Sequence, residues 1–106
     1  MQQKGRPKKV RLIKSMPKIT QFSPRGRPGR PDEIELFVDQ LEALKLSDYE
    51  GLDQSAAAKA MGISRPSLGR ILRGARKLIA DALVNGKIIR IQGGNVQITE
   101  KKINEL

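Results

Sequence analysis

Arg65, Arg70, Arg73, Arg76 and Lys77 fall in one short stretch of the chain, and their spacing places them together. At 100° per residue, counted from Arg65, they lie between about 0° and 140° around a helix, whereas Leu68, Ile71, Leu72, Ala75, Leu78, Ile79 and Ala82 lie between about 220° and 340°. A merely solvated face would alternate signs, but the long helix sets these five cations against one acid, Asp81. A guanidinium offers a planar fork of donors that fits a phosphate or the O6 and N7 edge of guanine, so the chemistry on offer is recognition of a polyanion. Bond-breaking chemistry finds little support. The chain has no Cys and no His, which removes thiolate and imidazole ligands, a catalytic triad and disulfides. The carboxylates are scattered and there is no Gly-rich phosphate loop, so neither an enzyme nor a cofactor or metal is expected.

The elements that must position these cations can be read on either side of them. "DQSAAAKAM" is a short alanine-rich helix over 54–61 capped by Asp53, "GIS" is a turn, and "RPSLGRILRGARKLIADALVNG" is a long helix over 65–85 closed by Asn85-Gly86. Ser64 is the expected N-cap, and Pro66 suits a first turn where its missing N–H has no intrahelical partner. Ala58 is small where two steeply crossed helices approach, Gly62 suits a turn with positive φ, and Ala57, Met61, Ile63, Leu68 and Ile71 fall at inward positions. Two helices joined this way form a helix-turn-helix signature. In that docking geometry the start of the second helix enters the major groove. Ser64, Arg65, Ser67, Arg70 and Arg73 are then the expected base-reading residues, and Gln54, Arg76 and Lys77 the phosphate contacts.

Charge divides the rest of the chain. The net charge is +10, and residues 1–31 hold ten Lys or Arg and no acid, so all of the excess is N-terminal. This segment reads as a basic arm or linker with a possible short strand at 10–16. Its "SPRGRPGRP" resembles an AT-hook core, which would lay Arg25, Arg27 and Arg30, and Arg6 from "KGRPKK", into a minor groove. An ordinary Pro/Gly turn fits the same letters, and both readings stay open. Residues 32–53 reverse the sign, with eight acids against Lys45 alone. Here "IELFV" is expected to be extended, followed by a helix over 39–50 with Asp39 as N-cap, Leu41, Leu44 and Tyr49 on one face, and Gly51 at its end. "KIIRIQGGNVQIT" predicts a β-hairpin over 87–99 turning at Gly93-Gly94-Asn95, with 100–106 as a tail. Ala80, Leu83 and Val84 turn the cationic face of the long helix apolar near its end, so either the hairpin covers them or a second subunit does.

The fold expected is therefore mainly α, a core of three helices with a long third helix, a small C-terminal hairpin and a partly extended N-terminal segment. Residues 39–91 resemble a small prokaryotic family of uncharacterised predicted DNA-binding proteins with a helix-turn-helix similar to region four of sigma-70 factors. "EALKLSDYEGL", "MGISRPSLGRIL" and "ADALVNGK" carry most of that resemblance, and "KITQFSPRG" resembles the family's N-terminal segment. The resemblance implies DNA binding, with no operator attached. Members often carry cysteines in the N-terminal segment, whereas this chain has none.

The function expected from these residues is sequence-specific binding of double-stranded DNA by a small transcriptional regulator acting as a homodimer. Two alternatives remain, an architectural, nucleoid-type binder held by phosphates and an interaction module that docks on transcription machinery through the acidic segment 32–53. No apolar run approaches the roughly 20 residues that span a bilayer and no signal-peptide core opens the chain, so a cytoplasmic, nucleoid-associated protein is expected.

Overall fold

A computed structural model describes residues 9–26 and 28–99. Five short strands and three helices follow one another: β1 (Arg11–Ile13), β2 (Gln21–Phe22), β3 (Glu33–Leu36), α1 (Val38–Leu44) continued by a π-helical turn (Lys45–Tyr49), α2 (Gln54–Met61), α3 (Arg65–Asn85), β4 (Ile88–Ile91) and β5 (Val96–Ile98).

The boundaries of α2 and α3 have local causes. The Asp53 carboxylate accepts from the Ala56 N–H at 2.8 Å and the Ser64 hydroxyl from the Ser67 N–H at 3.2 Å, each satisfying a donor left over at a helix start. Gly62 at φ 67° and Gly86 at φ 62° close the two helices in the left-handed region, which costs glycine no steric penalty.

α1 differs from the expectation. Its N-cap is Phe37, whose N–H donates to the Gln40 side chain at 2.9 Å, while Asp39 lies in the first turn and is buried. The last turn widens to π geometry, with the Glu50 N–H reaching back to the Lys45 carbonyl at 2.8 Å. Tyr49 still borders a groove with Leu41 and Leu44, but it is 86% exposed.

The hairpin is corrected outright. β4 and β5 do not pair with each other but belong to separate sheets. β4 is the centre of a three-stranded sheet, parallel to β3 with Ile34 opposite Ile89 and antiparallel to β2 with Phe22 opposite Ile89. β5 runs parallel to β1 with Leu12 opposite Gln97. Gly93 and Gly94 serve close approach to α1 instead of a two-residue turn. The Gly93 carbonyl accepts from the Val38 N–H at 3.1 Å, and a Cβ on Gly94 would stand 2.9 Å from Asp39 Oδ1. The chain between 91 and 96 is thereby fastened to the start of α1, and each strand finds its partner elsewhere.

Two apolar clusters explain the length of α3. Leu68 and Leu72 in its first half pack with Ala43, Leu46, Ala57, Ala58 and Met61 from the other helices. Ala75 and Ala82 in its second half pack with Ile13, Ile34, Leu36 and Ile91 from the strands and with Val38 at the start of α1. One helix of about 31 Å therefore spans a helical layer and a sheet layer. Ile13, Leu36, Met61, Leu68 and Leu72 are fully buried, and truncating any one to Ala would cost about 2–5 kcal/mol.

Candidate nucleic-acid interface

α3 presents its cations along the side that neither apolar cluster occupies. Arg65, Arg70, Arg73, Arg76 and Lys77 are all exposed. Four of the five lack a salt bridge, whereas several cations elsewhere in the fold have one. Arg11, Lys45, Lys87 and Arg90 have carboxylate partners in Asp39, Glu42, Asp81 and Glu33, and on α3 Arg76 has one in Asp48. Among the described residues, Arg65, Arg70 and Arg73 have none, and Lys77 makes no salt bridge but feels the charge of Asp81 one turn further on. The acidic segment thus neutralises its surroundings and leaves this strip of positive charge standing.

The start of α3 is internally ordered. The Ser64 hydroxyl donates to Ser67 Oγ at 2.9 Å, and Arg70 Nη2 donates to the same oxygen at 3.2 Å. Ser67, expected to face a base directly, therefore also steadies Arg70. Limiting the rotamers of an Arg before it meets a partner reduces the entropy lost on binding.

Two flanks border the strip. On one, the start of α2 comes close to Gly69. A Cβ there would lie 3.7 Å from Gln54 Oε1 and 3.5 Å from Arg73 Nη1, so the expected phosphate residue Gln54 stands beside a base-reading candidate. On the other, Gln40 Nε2 comes within 3.4 Å of where a Cβ on Gly74 would sit, bringing the start of α1 against α3.

Arg76 is held differently from its neighbours. Its guanidinium donates to both Asp48 oxygens, at 3.1 Å from Nε and 2.8 Å from Nη2. That contact holds the Asp48 carboxyl below the usual carboxylate range and raises the pKa of Arg76. Asp48 reaches it from the π-helical turn, across from α3.

The N-terminal segment divides. Arg25 and Arg30 are exposed, around Gly26 at φ 77° and Gly29 at φ 78°, and nothing lies within 4 Å of a Cβ on either glycine. This is an open, irregular stretch rather than a packed turn. Arg6 and Arg27 lie outside the described residues. At the far end of α3, Leu83 is 74% and Val84 81% exposed, with Ala80 exposed beside them, so of the two alternatives for this patch the cover by 87–99 does not form. Phe22 and Pro24 border Leu83 in a shallow cleft.

Residues 1–99 match the model of a family described as "Protein of unknown function DUF134". The chain belongs to this family. A UPF0251 protein of Thermoanaerobacter sp. (strain X514) is 48% identical over 98 residues, covering 92% of this chain and 87% of that protein. Another, from Prosthecochloris aestuarii, is 46% identical over 101 residues, and a third, from Desulfosudis oleivorans, 53% identical over 91. This chain spans 65% and 66% of the length of those two. No solved structure matches. Among the described residues, no helix is long and apolar enough to cross a membrane.

Sequence reasoning missed three polar residues of this DUF134 chain that the fold brings to α3. Asp48 and Gln40 lie in the acidic segment, where local pattern gave each a helix and no partner. Arg11 sits in β1 and shares a cleft with Ser67 and Arg70. No local signal could have placed it there, because the neighbour is more than fifty positions away.

Proposed function

We propose that this protein binds double-stranded DNA in a sequence-specific manner as a small transcriptional regulator, with α2 and α3 acting as a helix-turn-helix and the start of α3 reading the major groove. One observation carries the reading: along one face of α3, Arg65, Arg70, Arg73 and Lys77 stand exposed together without a salt bridge, while Arg11, Lys45, Arg76, Lys87 and Arg90 each have one. Unneutralised donors on a helix that fits a groove about 12 Å wide favour a polyanionic partner. Ser64, Arg65, Ser67, Arg70 and Arg73 face base edges in this reading, and Gln54, Arg76 and Lys77 face phosphates. Arg6, Arg25, Arg27 and Arg30 extend the contact into an adjoining minor groove. The exposed Ala80, Leu83 and Val84 receive a second copy, giving a two-fold dimer whose half-sites follow the helical repeat of DNA.

The test is selection of bound sequences from random duplex DNA, followed by Arg70→Ala and Arg65→Ala on the winning site. Arg70→Ala should relax preference at one base pair, a loss of about 1–3 kcal/mol of discrimination. Enrichment of no sequence, with binding governed by salt alone, would favour an architectural binder instead.

A partner-docking module is the second reading. It draws on an apolar groove of about 750 Å³ beside Leu41, Leu44, Met16 and the exposed Tyr49. Against it, Glu33, Asp39, Glu42 and Asp48 of the acidic segment are already engaged with cations of the same chain.

A further inference from the structure

An α-helix lying in a major groove is as wide as the groove, so it meets a phosphate backbone on both flanks. The α2 flank supplies Gln54. The opposite flank carries a cleft of about 230 Å³ lined by Arg11, Phe37, Asp39, Gln40, Ser67 and Arg70, together with Ile71. Its polar groups are mostly donors with capacity left over. Arg11 is largely out of water, yet among the described residues its buried Nε has no hydrogen-bond partner, and its Nη1 has only Asp39 Oδ2 at a loose 3.8 Å. Gln40 gives its Oε1 to the Phe37 N–H, which leaves the amide N–H₂ as a donor. The Ser67 oxygen accepts from Ser64 and Arg70, which leaves its own proton to give. A half-buried guanidinium with one weak partner is costly, and an acceptor-only ligand meeting its accessible N–H groups would help to complete it.

Asp39 is the opposing charge. Its Oδ1 is engaged by the Gln40 N–H at 3.1 Å, and with Arg11 and Arg70 on the other side the cleft carries one net positive charge. The strand fixes Arg11 in place: its N–H donates to the Asn95 carbonyl at 2.9 Å, and Leu12 next to it packs against Gly62 at the α2–α3 turn.

We infer that this cleft is a phosphate-binding site in which Arg11, helped by the Gln40 amide and the Ser67 hydroxyl, grips the DNA backbone across the major groove from Gln54. The inference rests on the DNA-binding reading and adds to it a residue of β1. It makes Arg11 a positional contact without base preference, and it leaves Arg70, at the lip of the cleft, to the base edges.

The experiment uses the full chain and a duplex taken from the selection. Binding is titrated at several salt concentrations, well below the melting temperature, for the natural protein, Arg11→Gln and Arg11→Lys, with helical circular dichroism confirming each fold. Each phosphate near the site is then replaced singly by an uncharged methylphosphonate. Arg11→Gln should weaken binding about tenfold on preferred and unrelated sequences alike. It should also flatten the dependence of log K on log salt by about 0.9. Arg11→Lys should keep the salt slope while losing part of the affinity, because a point charge replaces a fork. One methylphosphonate, across the groove from the position sensitive to Gln54→Ala, should weaken the natural protein and leave Arg11→Gln unaffected. Unchanged affinity and slope in Arg11→Gln, or a methylphosphonate effect equal in both proteins, overturns the site while the DNA-binding reading stands. If Arg11→Gln fails to fold, Arg11→Lys with the methylphosphonate series decides in its place. Failure of the natural protein to bind any duplex overturns both.

Discussion

Replacing Asp48 by Asn should tighten DNA binding, because Asp48 occupies the donors that Arg76 would offer a phosphate. The guanidinium closes on the carboxylate at 2.8 and 3.1 Å, so a phosphate can be gripped in the same bidentate way only after this pair opens. Both side chains are about half exposed, 49% for Arg76 and 43% for Asp48, and a pair so wetted contributes about 0.2–1 kcal/mol. Removing the competitor returns that amount to the complex, a gain of about 1.4- to 5-fold in affinity. The folded protein should lose no more than the same small amount. The depressed pKa of Asp48 means that the pair's contribution to stability is present above the usual carboxylate range and lost as pH falls through the folded value. Fluorescence anisotropy on a labelled duplex measures the gain, and Arg76→Gln with the double variant completes a cycle. In the Arg76→Gln background the Asp48→Asn gain should vanish. A gain of equal size there would mean that Asp48 acts only through overall charge, and an unchanged affinity in the single variant would place Arg76 away from the backbone.

Gly62→Val should destabilise the fold by about 1–3 kcal/mol, since φ is 67° and a Cβ would stand 3.1 Å from Leu12 Cδ1. Denaturant midpoints check this, and an unshifted midpoint would refute the strain. Leu83→Glu should convert a dimer to monomer in sedimentation equilibrium while changing the stability of the monomer fold by no more than about 0.5 kcal/mol, because the side chain is 74% exposed. The selected site should then contain two half-sites about 10 base pairs apart or a multiple of that, and a natural protein that stays monomeric on an asymmetric site would remove the dimer. Arg25, Arg27 and Arg30 all changed to Gln should lose most affinity on sites flanked by A·T tracts, whose narrow minor groove concentrates negative potential. Equal losses on A·T and G·C flanks would make "SPRGRPGRP" a linker.

What could be read from sequence followed the range of the interaction concerned. α2 and α3 were legible to the residue because Asp53, Gly62, Ser64 and Gly86 act within three or four positions of themselves. The cationic face of α3 was legible for the same reason, since helical geometry alone groups those residues. Strand partners were not. Ile88–Ile91 is equally apolar whether it meets Val96–Ile98 or Glu33–Leu36, and the choice fell to the parallel pairing that the three intervening helices make possible. Asp39 failed for a related reason. Its letters suit a cap, but Gly94 and Arg11, both remote in sequence, enclose it, and Phe37 starts the helix. The π turn that ends α1 carries no sequence mark either, and it leaves Tyr49 exposed.

The basic N-terminal segment shows why charge and fold cannot be assigned to separate parts of this chain. Composition suggested an arm appended to a neutral domain. In the fold, Ile13 is 1% exposed within the apolar cluster under α3, its carbonyl accepts from the Thr99 N–H, and Leu12 braces the turn between α2 and α3. Cutting away residues 1–31 would thus remove all ten excess charges and a piece of the core together. Loss of binding in such a truncation could not tell an electrostatic arm from a collapsed reading helix. Arg25 and Arg30 can be altered without that ambiguity, being exposed in an open stretch, and Arg11 can be altered with its neighbours Leu12 and Ile13 kept. If the three-site arm variant and Arg11→Gln both fold and each flattens the salt dependence on its own, the two losses should add, because the arm and the cleft share no partner among the described residues.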